Sequence, residues 1–199
     1  HKYSHKFFIK KGFLDPNYSD YLNRGRICCH YSSMEVYKKF LRSKAKTLCV
    51  FEDDLSIDTY KSVSDFNLTM KPVLETIPKD WDYLNFSKCH DECHKSKPIN
   101  HYWNKPNRPL CRTAIAMNKN AAKIIVEKGY PMINAPGDRI ISNLIQNNEF
   151  KAYATNRLYF YQNRVRFGSN LGNIVRRKYY KSGNPPMCNR MSLSNLMIW

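Results

Sequence analysis

Helix-like and strand-like patterns of apolar residues alternate along this chain. Between residues 27 and 41, apolar and aromatic side chains recur at steps of three and four, which predicts a helix. The uninterrupted apolar run 48–51 predicts a strand that is buried on both faces. Further strands are predicted at 6–9, 81–86, 113–117 and 150–161, with helices at 67–77, 119–128 and from 138 onward. This order is typical of an α/β domain whose central sheet is mostly parallel and flanked by helices.

Three acids, Glu52, Asp53 and Asp54, directly follow the strand predicted at 48–51. In parallel sheets, ligands bind at the carboxyl ends of the strands. Closely spaced hard oxygen ligands suit Mg²⁺ or Mn²⁺, and such ions often bridge substrate phosphates. The alternative is a solvated strand end in which Asp53 or Asp54 caps the next turn. The local sequence leaves both interpretations open.

The stretch 87–108 is the most irregular part of the sequence, and we interpret it as a functional loop. It is polar, lacks a clear period, and is longer than loops without a function usually are. Within it, the run Cys-His-Asp-Glu-Cys-His at 89–94 has a ligand spacing that zinc sites permit. No second ligand pair accompanies this run, so a polar loop near the substrate is the favoured interpretation.

Composition and charge narrow the function classes only in part. The chain has 199 residues, which suits one domain, here assigned to residues 1–175, with a basic extension at 176–199. A net charge of +17 predicts attraction to polyanions, nucleotides or anionic membranes without choosing among them. No apolar run approaches the ~20 residues needed to span a bilayer, so we expect no transmembrane segment.

The cysteine pattern indicates reduced thiols. There are seven cysteines, an odd number, with Cys28 and Cys29 adjacent and no C-x-x-C pair. This pattern does not look like the disulfide framework of a small secreted domain. We therefore expect a cytoplasmic protein.

Four blocks of the sequence occur in a characteristic order. They are a helix that opens with glycine (25–32), an apolar strand ending in Glu-Asp-Asp (48–55), a Trp-Asp-apolar strand (81–84), and a small-residue strand followed by Lys-Asn-Ala-Ala (112–122). Asp138, Gln162 and Ser169 add single matches further along. Together these blocks resemble glycosyltransferase family 25, the bacterial lipooligosaccharide and procollagen galactosyltransferase type. The resemblance implies the GT-A fold of nucleotide-diphospho-sugar transferases.

The resemblance also implies an activity. It predicts a metal-dependent enzyme that transfers glucose, galactose or L-rhamnose from a UDP-sugar to a glycan or glycoprotein acceptor, with inversion at the sugar. The cofactor is Mn²⁺ or Mg²⁺, and no specific nucleic acid is expected as a partner. The small size and high charge look more like the glycosyltransferases of large DNA viruses, which modify capsid protein in the host cytoplasm.

Metal and donor roles follow from the matched blocks. Asp54 corresponds to the last acid of the motif and is expected to bind the metal directly, while Glu52 shares its strand face and binds through water. Asp53 points the other way and holds the ribose or donor sugar, or else makes a turn hydrogen bond. Basic residues should hold the phosphates, and the donor-binding set is completed by Ser32, Arg26 and Arg112.

Asp138 is the expected general base, which takes a proton from the acceptor hydroxyl. Its alternative role is that of a helix N-cap. Tyr102 and Trp103 could stack on an acceptor sugar, or could equally be core or lid residues. The sequence departs from the family where a Ser-His pair reads Ser32-Ser33, and where the opening strand signature is missing.

Two rival functions stay open on the sequence alone. A basic nucleic-acid-binding module would explain the charge and the basic run at 176–181, but it would leave the acids at 52–54 unexplained and lacks a recognisable motif. A metal-dependent nuclease or phosphotransferase could use the same acids. Release of UDP from a UDP-sugar would distinguish the glycosyltransferase from both.

Overall fold

The computed structural model describes residues 3–58 and 60–162, and two β-sheets organise them. The helices are α1 (His5–Lys10), α2 (Arg24–Arg42), α3 (Val63–Glu75), α4 (Lys119–Lys128) and α5 (Gly137–Gln146). The strands are β1 (Thr47–Phe51), β2 (Leu55–Ser56), β3 (Tyr83–Asn85), β4 (Lys97–Pro98), β5 (Trp103–Lys105), β6 (Ala114–Asn118), β7 (Ala152–Thr155) and β8 (Tyr161–Gln162). The larger sheet has six strands in the order β1-β6-β3-β7-β5-β4, and β2 pairs with β8 in the smaller one. The extension at 176–199 and the match at Ser169 lie outside the described residues.

The mostly parallel sheet expected from the sequence is wrong. Only β3 and β7 pair in parallel, and the other neighbouring pairs of the six-stranded sheet are antiparallel. A parallel pair needs a crossover that carries the chain back across the sheet, usually a helix. The connection from β3 to β6 contains no α-helix, and β6 starts at the edge where β3 ends. The beginning of β6 therefore lies beside the ends of β1, β3 and β7. We call this side of the sheet, where these strand ends meet, the acid edge.

The prediction that β1 is buried on both faces is wrong, because β1 is an edge strand of the sheet. Its residues alternate between exposed and half-buried, and Phe51 is 58% exposed. The apolar run looked like a central strand because periodicity cannot separate an apolar edge strand from a buried one. The expected strand at 6–9 is also wrong, because these residues lie in the short helix α1, whose N-cap is Ser4.

The predicted helices at 27–41, 67–77, 119–128 and from 138 onward are confirmed within a few residues. Asn118 caps α4 as predicted, since its side chain accepts a hydrogen bond from the Ala121 N–H at 3.1 Å. At the end of α2, the Lys119 ammonium donates to the carbonyls of Phe40 and Leu41 at 2.7 and 2.9 Å. This contact satisfies carbonyls that a helix end leaves unpaired and joins α2 to α4. None of the described helices is both long and apolar enough to cross a membrane.

The core has one cluster on each face of the six-stranded sheet. Alternate residues of β6 divide between them: Ile115 and Met117 pack with the helices α1, α2, α4 and α5, whereas Ala114 and Ala116 pack with α3 and the aromatic residues of the other face. Trp103 belongs to this second cluster. It has no exposed surface, its indole N–H donates to the Val73 carbonyl at 3.0 Å, and Phe86 meets its ring edge to face.

We expect Trp103→Ala to lower the free energy of unfolding by about 3–5 kcal/mol, because it removes a large buried side chain and leaves a cavity. The change is measured by denaturant unfolding, monitored by far-UV circular dichroism because the substitution removes a tryptophan that fluorescence would report. Tyr102→Ala, at the half-buried neighbouring position, is the matched control and should cost much less. Equal losses for the two variants would contradict the central position of Trp103 in the core.

Candidate active site

Two carboxylates lie side by side where β1 ends. The Glu52 N–H donates to the Thr113 carbonyl at 2.9 Å, which ties the end of β1 to the start of β6. A tight turn follows, and the pairing of β2 with β8 brings Gln162 opposite Leu55. The Gln162 side-chain amide donates to Asp54 Oδ2 at 3.0 Å and lies 3.4 Å from Glu52 Oε2. Glu52 and Asp54 therefore share one neutral donor, and the turn after β1, not a common strand face, brings them together.

Arg112 is the basic residue of this site. It is only 7% exposed, and its Nη2 donates to Cys29 Sγ at 3.8 Å. Its Nη1 is buried and has no hydrogen-bond partner among the described residues. Burial opposes its charge, but Tyr37, Cys29, Glu52 and Asp138 together hold the pKa of Arg112 above its ordinary value. The guanidinium is therefore a permanent positive charge with one donor group left unsatisfied.

Charges of both signs surround the partly buried carboxyl of Glu52. Burial is the main cause that raises the pKa of Glu52, and the charges of Asp54 and Asp138 raise it further. The Arg112 charge and a hydrogen bond from Thr113 Oγ1, at 3.3 Å, oppose this shift without cancelling it. A cation at this position would therefore relieve repulsion among the three acids.

One face of α2 closes the site beside Arg112. The residues on it are Cys29, whose Sγ contacts Arg112, Ser33, whose hydroxyl donates to the Cys29 carbonyl at 3.0 Å, and the buried Tyr37. The two α2 residues named from the resemblance lie elsewhere. Ser32 faces solvent and its hydroxyl donates to the Cys28 carbonyl, one turn back in α2, at 2.7 Å. The Arg26 guanidinium stacks on the Tyr21 ring and donates to the Tyr21 carbonyl.

His30 fixes the relative position of three helices. It lies in α2 with no exposed surface, and its Nε2 donates to the carbonyl of Gly129 at the end of α4 over 2.8 Å. A Cβ at Gly137, the first residue of α5, would lie 2.2 Å from its Nδ1. Burial, helped by the Arg112 charge, lowers the pKa of His30 to about 3. His30 is therefore a neutral packing residue, and Gly137 is small because the imidazole occupies that space.

Asp138 reaches the site from the start of α5. The N-cap of α5 is Pro136, so Asp138 lies in the first turn of the helix and its alternative role as a helix N-cap is wrong. The carboxylate is half-buried and accepts the Arg139 N–H at 2.9 Å. Its charge acts on both Arg112 and Glu52, so Asp138 belongs to the same group of interacting charges as the acids that follow β1. An acid in the first turn is also favoured by the helix dipole.

The irregular stretch 87–108 is held at the acid edge by a disulfide. Cys89 and Cys111 are bonded, with their Cα atoms 5.6 Å apart, so the expectation of reduced thiols is wrong for this pair. Spacing along the sequence could not reveal the bond, because the two cysteines meet only through the pairing of β3 with β6. A zinc site that uses the Cys89 thiolate is thereby excluded. The argument for a cytoplasmic protein from reduced thiols no longer holds.

Three further residues predicted for the site are Trp103, Tyr102 and Asp53. Trp103 is a core residue, which corrects its expected stacking role, since no face of the ring is left for a sugar. Tyr102 is half-buried at the acid edge, but β5 lies four strand spacings from β1, about 19 Å. Asp53 is exposed in the turn after β1, and within the described part of the chain its carboxylate makes none of the expected turn hydrogen bonds.

Sequence reasoning missed Cys29, Tyr37, Thr113 and His30. The helical pattern of α2 placed Tyr37 on the buried stripe, but it gave no sign that this stripe ends at a charged site. Thr113 was assigned to a strand, and its role depends on the antiparallel direction of β6. The signal that could have found them is the order of α2 and β1 along the chain. Because α2 ends next to the start of β1, its N-terminal half lies near the other end of β1, which is at the acid edge.

The donor set at this edge fits a divalent cation only in combination with a ligand. Within residues 3–58 and 60–162, no three His, Cys, Asp or Glu side chains are placed to hold a metal ion. Mg²⁺ and similar ions are often held by one or two carboxylates together with substrate phosphates and water. Glu52 and Asp54 meet that requirement, since both are carboxylates and both contact the side-chain amide of Gln162. The arrangement suits a metal that binds with a phosphate, and not one held by protein atoms alone.

Comparison with known proteins bears on the resemblance noted above. The family model for glycosyltransferase family 25, described as LPS biosynthesis protein, matches residues 3–148, which includes Glu52, Asp54, Arg112 and Asp138. A comparison with curated proteins gave no match. Because the matched region covers well over half of the chain, the resemblance is confirmed. The chain belongs to glycosyltransferase family 25.

Proposed function

We propose that this glycosyltransferase moves a hexose from a UDP-sugar to a glycan or glycoprotein acceptor, with Mn²⁺ or Mg²⁺ as cofactor and inversion at the sugar. The observation that supports the proposal most directly is the meeting of Glu52, Asp54, Arg112 and Asp138 at one edge of the sheet. Glucose, galactose and L-rhamnose are the donor sugars to be compared. The charges of Glu52 and Asp138 act on the Arg112 guanidinium and Asp54 acts on Glu52, a combination that suits a cation and a phosphate together.

The donor half of the site would be formed by Asp54, Glu52 and Arg112. Asp54 and Glu52 would hold the metal, which when bound supplies Lewis-acid stabilisation to the departing diphosphate. Arg112 would bind a phosphate oxygen through Nη1, the buried donor that lacks a partner among the described residues. A charged donor without a partner is costly to bury, and guanidinium groups match phosphate geometry well. A phosphate oxygen would satisfy it.

The acceptor half would be formed by Asp138 and by the solvent-facing side of the loop that carries Tyr102. Asp138 would take the proton of the acceptor hydroxyl as that oxygen attacks the sugar. Its position in the first turn of α5, with His30 packed behind Gly137, fixes the carboxylate relative to Arg112. Since Tyr102 lies about 19 Å from β1, it would contact a distal unit of an extended acceptor, and not the reacting sugar.

The proposal is tested by calorimetric titration of UDP into the protein, first with Mn²⁺ and then with EDTA. We expect binding with Mn²⁺, and a loss of at least about 100-fold in affinity for Asp54→Asn or after chelation, because the neutral amide is a weaker ligand for a hard cation. Asp58→Asn, an exposed acid four residues further on, is the matched control and should bind UDP like the wild type.

Two outcomes would contradict the proposal. One is UDP binding that is unchanged by EDTA and by Asp54→Asn, which would remove the metal from the mechanism. The other is absence of UDP binding together with tight, salt-sensitive binding of DNA or RNA, which would favour a nucleic-acid-binding function. If UDP binds as expected, release of UDP from UDP-glucose, UDP-galactose and UDP-L-rhamnose identifies the donor.

A further inference from the structure

The segment that carries Arg112 is tied to the exit of β3 at several points. The Asn85 side-chain amide donates to the Cys111 carbonyl at 2.8 Å. The Cys89 N–H donates to the Leu110 carbonyl at 3.2 Å, and the Leu110 N–H donates to the His90 carbonyl at 2.9 Å. The Cys89–Cys111 disulfide joins the same two segments of the chain covalently. The residue before Arg112 is therefore held by both its side chain and its carbonyl.

The backbone at Cys111 has an uncommon conformation. Its φ of 65° lies in the left-handed region, which residues other than glycine seldom adopt. Such a conformation persists where the surroundings impose it. The turn it produces sends the next side chain, Arg112, inward, where the residue is only 7% exposed and its guanidinium lies beside Cys29 and Glu52.

The outer part of the same loop is fixed without the disulfide. Lys88 and Asp91 form a buried ion pair at 3.4 Å, with side chains 4% and 0% exposed. Asp91 Oδ1 also accepts the N–H groups of Asn107 and Arg108, at 3.2 and 2.7 Å. Loss of the disulfide should therefore leave the loop folded and loosen mainly the segment 110–112.

We propose that the Cys89–Cys111 disulfide is a positioning element for Arg112, and that reduction of this bond weakens binding of the nucleotide diphosphate. Cys89 and Cys111 touch no reacting atom in this proposal and act only through Arg112. The inference rests on the proposed function of Arg112 as the phosphate-binding residue. It makes donor affinity dependent on the redox state of the protein.

A double-mutant cycle tests this coupling. The Kd for UDP in the presence of Mn²⁺ is measured by calorimetry for the wild type, Cys89→Ser, Arg112→Gln and the double variant. We expect Cys89→Ser to weaken binding roughly tenfold, as removal of a supporting residue behind a ligand contact typically does. In the Arg112→Gln background the same substitution should have no further effect. Losses that simply add, or no loss in Cys89→Ser, would overturn the proposal.

Reduction of the wild-type protein provides a second measurement that does not depend on a variant folding. A dithiol reagent breaks the Cys89–Cys111 S–S bond, leaves two thiols, and is itself oxidised to a disulfide. The Kd for UDP should rise roughly tenfold on reduction and return on reoxidation, both in the wild type and in Cys49→Ser, which removes an exposed thiol on β1. Equal affinity of the oxidised and reduced protein would overturn the inference alone. Absence of UDP binding by the oxidised wild type would instead overturn the proposed function.

Discussion

Asp138→Asn is expected to lower kcat by about 10²–10⁴-fold, because the amide cannot accept the proton of the acceptor hydroxyl. The change preserves the size of the side chain and its place in the first turn of α5. The Kd for UDP with Mn²⁺ should change little, since Asp138 is assigned to the acceptor and not to the donor. Steady-state transfer rates, together with the UDP titration, measure the two quantities separately.

The chain offers a matched control for this substitution. Asp65 lies in the first turn of α3, as Asp138 does in α5, and it takes no part in the acid edge. Asp65→Asn therefore removes a similar interaction with a helix dipole and should leave kcat unchanged. Full activity of Asp138→Asn would exclude it as the base. An equal loss of kcat in both variants would show that the effect comes from the helix, and not from proton transfer.

The second large effect is a pH dependence of stability that His30 produces. Its pKa is lowered to about 3 in the folded protein, against an ordinary value of 6.5. Between these values the unfolded chain binds a proton that the folded protein does not, so acid favours unfolding. The stability from His30 is fully present above pH 6.5 and falls by roughly 1.4 kcal/mol for each pH unit as the pH drops toward 3.

Denaturant unfolding between pH 7 and pH 4 compares the wild type with His30→Gln, which keeps an N–H donor for the Gly129 carbonyl but does not titrate. The variant should show a flatter dependence over this range. Carboxylates titrate in the same range, so the informative quantity is the difference between the two proteins. His101→Gln, at an exposed histidine, serves as the control and should follow the wild type. Parallel curves for wild type and His30→Gln would contradict the buried, neutral state of His30.

Local patterns predicted four of the five described helices and four of the eight described strands, but they missed β4 and β5 in the irregular stretch and could not give the direction of β6. The pattern of apolar residues at 113–117 is the same whether a strand runs parallel or antiparallel to its neighbours, because alternation depends only on which face each side chain takes. The direction decides whether Arg112 lies among the acids or at the opposite edge of the sheet. The interaction of Arg112 with the acids therefore could not be predicted from any single segment of the sequence.

The acids illustrate what the sequence does determine. Glu52 and Asp54 are two residues apart, and they were expected to share a strand face, but β1 ends at Phe51 and a turn brings both carboxylates to their common partner Gln162. The partners of Asp138 could not be inferred this way, because they depend on how α5 packs against α2. Trp103 shows the opposite error, since an aromatic residue in a polar stretch looked available to a ligand although it is part of the core.

The wide separation of these partners along the chain has a consequence during synthesis. Asp54 and Gln162 are 108 residues apart in the sequence. At about 5–20 residues per second, roughly 5–20 s pass between the synthesis of the acids and that of the amide which holds them together. During this interval Glu52 and Asp54 have been made, but their mutual repulsion is not yet offset by Gln162. A nascent chain released before residue 162 would carry the family's acidic motif without the geometry that we assign to the site.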